Sequence, residues 1–163
     1  MLFHYLVVDW LGWLIFGFVA TAVLSAVMVG AQLGRQTRMD LITMLGTLVI
    51  GDLDKARFPG LLIHFAIGQV FALFYAAAFS LIGRSGWLLG GLFGLVHGLL
   101  ALTLLIPLLP SIHPRMATER TGFELAVLEP PALFAQNYGR RTVAVTLLAH
   151  VAYGAILGAF LKP

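Results

Sequence analysis

The chain has 163 residues, of which 60% are hydrophobic and only 10% are charged, and its mean hydropathy is +0.97. Soluble domains carry about a quarter of their residues as charged side chains, so this composition excludes an ordinary soluble domain and indicates an integral membrane protein. The chain has no cysteine, which excludes disulfides and thiolate metal sites. Its net charge of +3 comes from connections between apolar segments, so we expect the lipid bilayer as a partner and no nucleic acid.

Four apolar segments reach the length of about 20 residues that a membrane-spanning helix needs. The predicted spans cover residues 8–30, 60–82, 86–109 and 142–161. Pro59 and Gly60 mark the start of the second span, and Pro107 is expected to kink the end of the third. The fold class predicted is therefore all-α, an integral membrane four-helix bundle that forms a single transmembrane domain over residues 1–163.

The connections between the spans are predicted to differ in structure and in charge. Residues 39–50 have helical spacing but are too short to span, which predicts a short helix in the interface or folded against the bundle. The long connection over 110–141 is polar. Eight of the ten Lys and Arg residues lie in connections 31–59 and 110–141, so the positive-inside rule places both on the cytoplasmic side and both termini on the outer side.

Small residues recur at four-residue spacing within the spans. This spacing stacks them on one helix face, where small side chains allow helix backbones to approach closely in lipid. The stripe at 86–98 has four consecutive matches and is the most specific. Such packing serves the chain's own bundle or a partner subunit alike. The residues predicted to pack helices are Gly68, Gly86, Gly90, Gly94, Gly98, Gly154 and Gly158.

Three of the predicted spans carry a histidine, and ionisable residues in a membrane usually face the bundle interior. At 1.5 Å per residue, His64, His150 and His97 lie roughly 6, 12 and 18 Å from the cytoplasmic ends of their helices. This ladder makes a three-histidine metal site harder to form than a pair. The pair of His97 and His150 could hold haem or a divalent metal ion.

The histidines are also consistent with two other roles. They could pass protons or a small solute, together with three nearby polar residues, Gln69, Tyr75 and Tyr153. They could equally be structural, because a neutral imidazole that hydrogen-bonds a neighbouring helix is the commoner role of an isolated intramembrane histidine. The sequence leaves these alternatives open.

Outside the spans, the sequence contains no recognisable catalytic motif. His113 is predicted to be solvated in the long connection, where it could join Glu119 or Glu124 in a surface metal site. A lipid-modifying enzyme would have to use scattered residues of the cytoplasmic connections, and solvated loop charges explain these residues more simply. They are Asp40, Asp52, Glu119, Glu129, Tyr138 and Arg140.

Five segments together resemble a family of small bacterial inner-membrane proteins of unknown function. The segments are MDLITMLG (39–46), LLIHFAIGQVFALFYA (61–76), GLVHGLL (94–100), HPRM (113–116) and LLAHVAYGAILGAFL (147–161). The resemblance implies a four-span protein of the bacterial inner membrane and no particular activity. The small size and packing stripes favour a non-enzymatic accessory or assembly component of a larger membrane complex, or self-association. The alternative function is an intramembrane histidine site for haem, a metal ion, protons or a small solute.

Overall fold

The computed structural model describes residues 8–117 and 128–163, and this part of the chain is built almost entirely from helices. In chain order the helices are α1 (Trp10–Leu33), α2 (Leu41–Gly46), α3 (Leu53–Ile82), α4 (Trp87–Leu100), α5 (Ile106–Ile112) and α6 (Thr142–Phe160). A π-helical turn (Ala101–Leu105) joins α4 to α5, and a short 3₁₀ segment (Leu133–Tyr138) precedes α6. Within the described ranges, the one β contact is a bridge between Met116 and Leu128.

Four helices are long and apolar enough to cross a membrane: α1, α3, the continuous helix Trp87–Ile112, and α6. Their most apolar stretches have mean hydropathies between 1.9 and 2.3. The predictions of an all-α fold and of four apolar spans are therefore confirmed. These helices indicate a membrane protein.

The helix that contains the second predicted span begins before that span. α3 starts at Leu53, because the carboxylate of Asp52 caps it by accepting the backbone N–H of Asp54 at 3.0 Å. Pro59 lies inside α3, so the helix does not begin at Pro59 and Gly60, and the start of the membrane span at about residue 60 stays a prediction. An internal proline removes one helical N–H and crowds the carbonyl four residues earlier, and the packing of α2 against this first part of α3 supports the helix on both sides of it.

The helix that contains the third predicted span also extends beyond the end of that span. The helix continues past residue 109 to Ile112, and a π turn replaces the expected proline kink. This turn shifts the hydrogen-bond register, so that Pro107 falls in the first turn of α5, where a missing N–H is tolerated. The hydroxyl of Thr103 donates to the Leu99 carbonyl at 2.7 Å, which satisfies one acceptor within this irregular stretch.

The bundle is arranged so that α6 lies between α4 and α1, and α1 lies between α6 and α3. We call the end of the bundle that carries α2 the α2 end, and the end that carries the α3–α4 connection the turn end. α4 and α6 approach most closely: a Cβ atom added to Gly154 would lie 2.1 Å from the carbonyl oxygen of Gly90. On the other side, aromatic rings fill the space between α3 and α4, where Phe79 and Phe93 stack at 5.5 Å.

α2 is held against the bundle by His113, which is 4% exposed rather than solvated as predicted. The backbone N–H of Arg115 donates to His113 Nδ1 at 3.1 Å, so the other ring nitrogen, Nε2, carries the proton and donates to the Met44 carbonyl at 3.0 Å. The Arg115 guanidinium donates to the Thr47 carbonyl at 2.6 Å. His113 is buried because it satisfies carbonyls at the end of α2. Glu119 and Glu124, its suggested metal partners, lie outside the described residues.

Candidate functional site

All three intramembrane histidines line one cavity of about 290 Å³ in the half of the bundle nearer the α2 end. His64 comes from α3, His97 from α4 and His150 from α6. The rest of the wall is almost entirely apolar. It includes Met28 from α1, Leu45 from α2, and Ala101 from the π turn. Every helix of the described bundle thus contributes to the cavity, whose few polar groups stand among hydrocarbon side chains.

His150 and Thr146 form the most polar part of the cavity wall. His150 Nδ1 donates to the Thr146 carbonyl at 2.8 Å, since a carbonyl can only accept. In the neutral ring, Nε2 is therefore left with a lone pair and acts as an acceptor. Thr146 is only 1% exposed, and its buried hydroxyl has no hydrogen-bond partner in the structure. A buried unpaired hydroxyl is unfavourable by roughly 1–3 kcal/mol, so this group is suited to meeting a ligand.

His64 lies on the α3 side of the cavity and is 7% exposed. Its Nδ1 is 3.0 Å from the hydroxyl oxygen of Ser25 on α1, and the Ser25 hydroxyl is also within 2.8 Å of the Thr21 carbonyl. Ser25 can donate its single hydrogen to either acceptor. His64 can consequently hold its own proton on either ring nitrogen.

His97 lies in a group of aromatic rings. The Phe71 ring stacks on it with 4.0 Å between ring centroids, and His150 meets it edge-on at 4.7 Å. The hydroxyl oxygen of Tyr75 lies 3.5 Å from His97 Nδ1, which is at the outer limit for a hydrogen bond. Tyr153 is in ring contact with His97 at 5.9 Å and donates its hydroxyl to the Gly68 carbonyl at 2.5 Å. The structure therefore brings Tyr75 and Tyr153 to the histidines, as parts of the packing beside the cavity.

Gln69 is not brought to the histidines. Its side-chain amide donates to the Leu14 carbonyl at 3.0 Å, and its backbone carbonyl accepts from the Trp13 indole at 2.8 Å. Both contacts join α3 to α1. Gln69 therefore links two helices away from the cavity.

The arrangement does not fit haem held between His97 and His150. Two imidazoles that bind one metal from opposite sides place their nitrogens about 4 Å apart, which puts the ring centroids about 6 Å apart. The observed centroid distance is 4.7 Å, with the rings nearly perpendicular at 82°. Nor do three or more His, Asp or Glu side chains of the described residues form a group that could hold a metal ion. A site for a divalent metal ion between His97 and His150 stays a prediction.

Two features of the site were missed by sequence reasoning. Thr146 precedes His150 by one helical turn, and this spacing was a signal that its backbone would contact the imidazole. The π turn Ala101–Leu105 contributes Ala101 and Leu105 to the cavity wall, and such turns frequently occur at functional sites. The nearby prolines, Pro107 and Pro110, were the only signal of an irregular helix here.

The carboxylates considered for lipid chemistry have structural partners instead of a shared cavity. Asp40 and Asp52 cap α2 and α3, and Lys55 pairs with Asp52 at 3.0 Å. Glu129 pairs with Arg38 at 3.3 Å, and the Tyr138 hydroxyl donates to the Glu129 carbonyl. Burial, assisted by the charge of Glu129, raises the pKa of Tyr138 to about 12, which makes this hydroxyl a poor acid. Glu119 lies outside the described residues, and Arg140 is exposed.

Comparison with models of known families, with characterised proteins and with solved structures finds no match to this chain. The resemblance to small bacterial inner-membrane proteins therefore stays a prediction.

Proposed function

We propose that this membrane protein binds a small, mostly apolar molecule in the cavity lined by His64, His97 and His150. The observation that carries the proposal is the Thr146 hydroxyl, which is buried in the wall of this cavity with no partner inside the protein. Buried polar groups are almost always hydrogen-bonded. A ligand in the cavity would supply the missing partner.

The polar groups of the cavity favour a ligand with a hydroxyl or carboxylic acid group. Such a group can donate to the lone pair of His150 Nε2 and accept from the Thr146 hydroxyl. The remaining wall is apolar, so the body of the ligand should be a hydrocarbon or aromatic ring. A volume of about 290 Å³ is close to the lower limit of roughly 300–1,000 Å³ for small-molecule sites. This size suits one compact ring system and not a macrocycle.

The proposal is tested by identifying what co-purifies with the full chain in mild detergent. Ala101→Phe places a large ring in the cavity, whereas Leu104→Phe makes a matched change on the exposed side of the same π turn. Solvent extracts of the wild type and of Leu104→Phe should contain one compound in stoichiometric amount by mass spectrometry, and extracts of Ala101→Phe should lack it. The proposal is wrong if all three extracts are the same.

A second substitution tests the assigned hydrogen bond. Thr146→Val removes the hydroxyl at nearly constant volume, so the compound found should bind about 2- to 13-fold more weakly, the equivalent of one hydrogen bond of roughly 0.5–1.5 kcal/mol. Equal affinity in the variant would show that Thr146 does not contact the ligand.

An accessory or assembly role in a larger membrane complex, or self-association, is the second proposal. The small size of the chain supports it. The glycine stripe of α4 packs against glycines of α6 in the same chain. We further propose a bacterial inner membrane, with the α2 end cytoplasmic. The charge distribution supports this orientation, since among the Lys and Arg residues that the structure describes only Arg84 and Lys162 lie near the turn end.

A further inference from the structure

A second, much smaller cavity lies beside the first one at the α2 end, between α1 and α2. Its volume is about 10 Å³, and four of its nine lining residues have polar side chains: Ser25, Gln32, Asp40 and His64. A buried water needs roughly 10–15 Å³ and two to four polar partners. The cavity therefore has the size and the lining for a single water molecule.

His64 lies between this small cavity and the larger one, because it lines both. Its Nδ1 is 3.0 Å from the Ser25 hydroxyl, and Ser25 lines the small cavity. An imidazole can take up a proton at one nitrogen and release one from the other. His64 is thus placed to transfer a proton between the two cavities.

Asp40 connects the small cavity to the aqueous side of the bundle. Its side chain is 26% exposed and pairs with Arg57 at 3.2 Å. Burial raises the pKa of this carboxyl, but hydrogen bonds from Thr43 and Gln32 and the charge of Arg57 outweigh burial, so the pKa lies below its ordinary value of 3.8. At neutral pH, an ionised carboxylate therefore stands at the mouth of the small cavity, where it attracts protons from solution.

We propose that Asp40, the small cavity, Ser25 and His64 form a proton entry from the α2 end into the larger cavity. A proton reaches the water in the small cavity, and this water gives a proton to the Ser25 oxygen. The Ser25 hydroxyl gives its own hydrogen to His64 Nδ1. The resulting imidazolium releases the proton on Nε2 to an acceptor in the larger cavity, such as His150 Nε2. No atom or electron is gained or lost in the exchange.

The entry has no counterpart at the turn end within the described residues. There, Phe79 and Phe93 stack, and the Tyr75 ring packs edge-on against both of them. The ionisable groups around His64 are Asp40 and its partner Arg57 at the small cavity, and His97 and His150 across the large one. α1 contributes the uncharged Ser25 and Gln32. The route therefore supplies protons to the cavity and to whatever binds there, and it does not conduct them across the membrane.

The exchange of histidine C2 hydrogens in D₂O tests this entry without any ligand, so it succeeds or fails independently of the proposed function. This exchange requires protonation of the ring and access of water. It is read for each histidine by peptide mass spectrometry, on the full chain in lipid nanodiscs. Ser25→Val fills the small cavity and removes the hydroxyl. Thr21→Val is the matched control one helical turn away, because Thr21 is also buried and lines neither cavity.

We expect Ser25→Val to slow exchange at His64 by about tenfold or more, because it closes the small cavity to water, and a tenfold change corresponds to about 1.4 kcal/mol in the barrier to exchange. Thr21→Val should leave the His64 rate unchanged. His113 contacts α2 but not the small cavity, so its unchanged rate in all variants shows that the α2 end remains folded. Asp40→Asn, which keeps the side-chain size, should slow exchange at His64 as well and decides the question if Ser25→Val does not fold. Equal His64 rates in the wild type and Asp40→Asn would overturn the proposal.

Discussion

Adding a single methyl group at Gly94 should destabilise the bundle, because this glycine lies where α4 and α6 are closest. The Cβ of an alanine would lie 2.1 Å from the His150 carbonyl oxygen, whereas an ordinary contact begins at about 3.4 Å. The two helices must therefore separate by about 1.3 Å, and neither backbone can give way as a flexible side chain would. Overpacking of this kind typically costs about 1–3 kcal/mol.

Gly91→Ala is the matched control, because it lies on the same helix and its Cβ would meet no atom closer than 3.7 Å. Both substitutions gain helix propensity, which is worth up to about 1 kcal/mol. We expect Gly94→Ala to unfold at a lower denaturant concentration than the wild type and Gly91→Ala to unfold at an equal or higher one, when helix loss is followed by circular dichroism. The reasoning about close packing is refuted if the two variants have the same stability.

Three further predictions concern the α2 end. His113→Ala removes one of the two donors to the buried Met44 carbonyl, which keeps only the Thr47 hydroxyl, and should lower the free energy of unfolding by roughly 0.5–1.5 kcal/mol. The pKa of Asp40 is lower in the folded protein than its ordinary value of 3.8, so the ionised carboxylate stabilises the fold. This stabilisation is complete above pH 3.8 and is lost as the pH falls through the folded pKa. Asp40→Asn should not show this loss when stability is measured against pH in acid. The pKa of Tyr138 is raised from 10.0 to about 12 in the folded protein, so its neutral hydroxyl stabilises the fold. This stabilisation is complete below pH 10 and is lost as the pH rises towards 12. Tyr138→Phe should not show this loss at alkaline pH.

One experimental result would contradict each of these three predictions. A His113→Ala variant as stable as the wild type would show that the imidazole does not hold α2. Parallel acid titrations for the wild type and Asp40→Asn would mean that the cap and Arg57 do not stabilise the carboxylate. Parallel alkaline titrations for the wild type and Tyr138→Phe would mean that this hydroxyl ionises equally in the folded and unfolded chain.

The helices were predictable because a membrane span needs about 20 apolar residues, and four segments of this chain have that length. Their ends depended on local contacts that hydropathy does not register. Asp52 begins α3 by capping it, although Pro59 lies downstream as an apparent boundary. The π turn after Leu100 carries the third span past its two prolines. His113 looked like a loop residue because its partners, Met44 among them, are far away in the sequence.

The candidate site was predictable only as a set of residue types. The cost of ionisable residues in lipid singled out His64, His97 and His150, and they line one cavity. Hydropathy and spacing do not determine how near the rings lie, and the 4.7 Å between the centroids of His97 and His150 does not fit haem held between them. Gln69 lay at a plausible position in the sequence but faces α1. Helix rotation, which fixes such directions, follows from packing between helices.

Native mass spectrometry of the full chain, purified at native expression level in mild detergent, tests the central claim most directly. We expect the intact particle to release one non-protein mass on the order of a few hundred daltons per chain, and we expect Ala101→Phe to lack that mass. A particle that releases only protein subunits would contradict the binding function and support the accessory role. A bare chain that gains no mass when total membrane lipids are added would contradict the binding function outright.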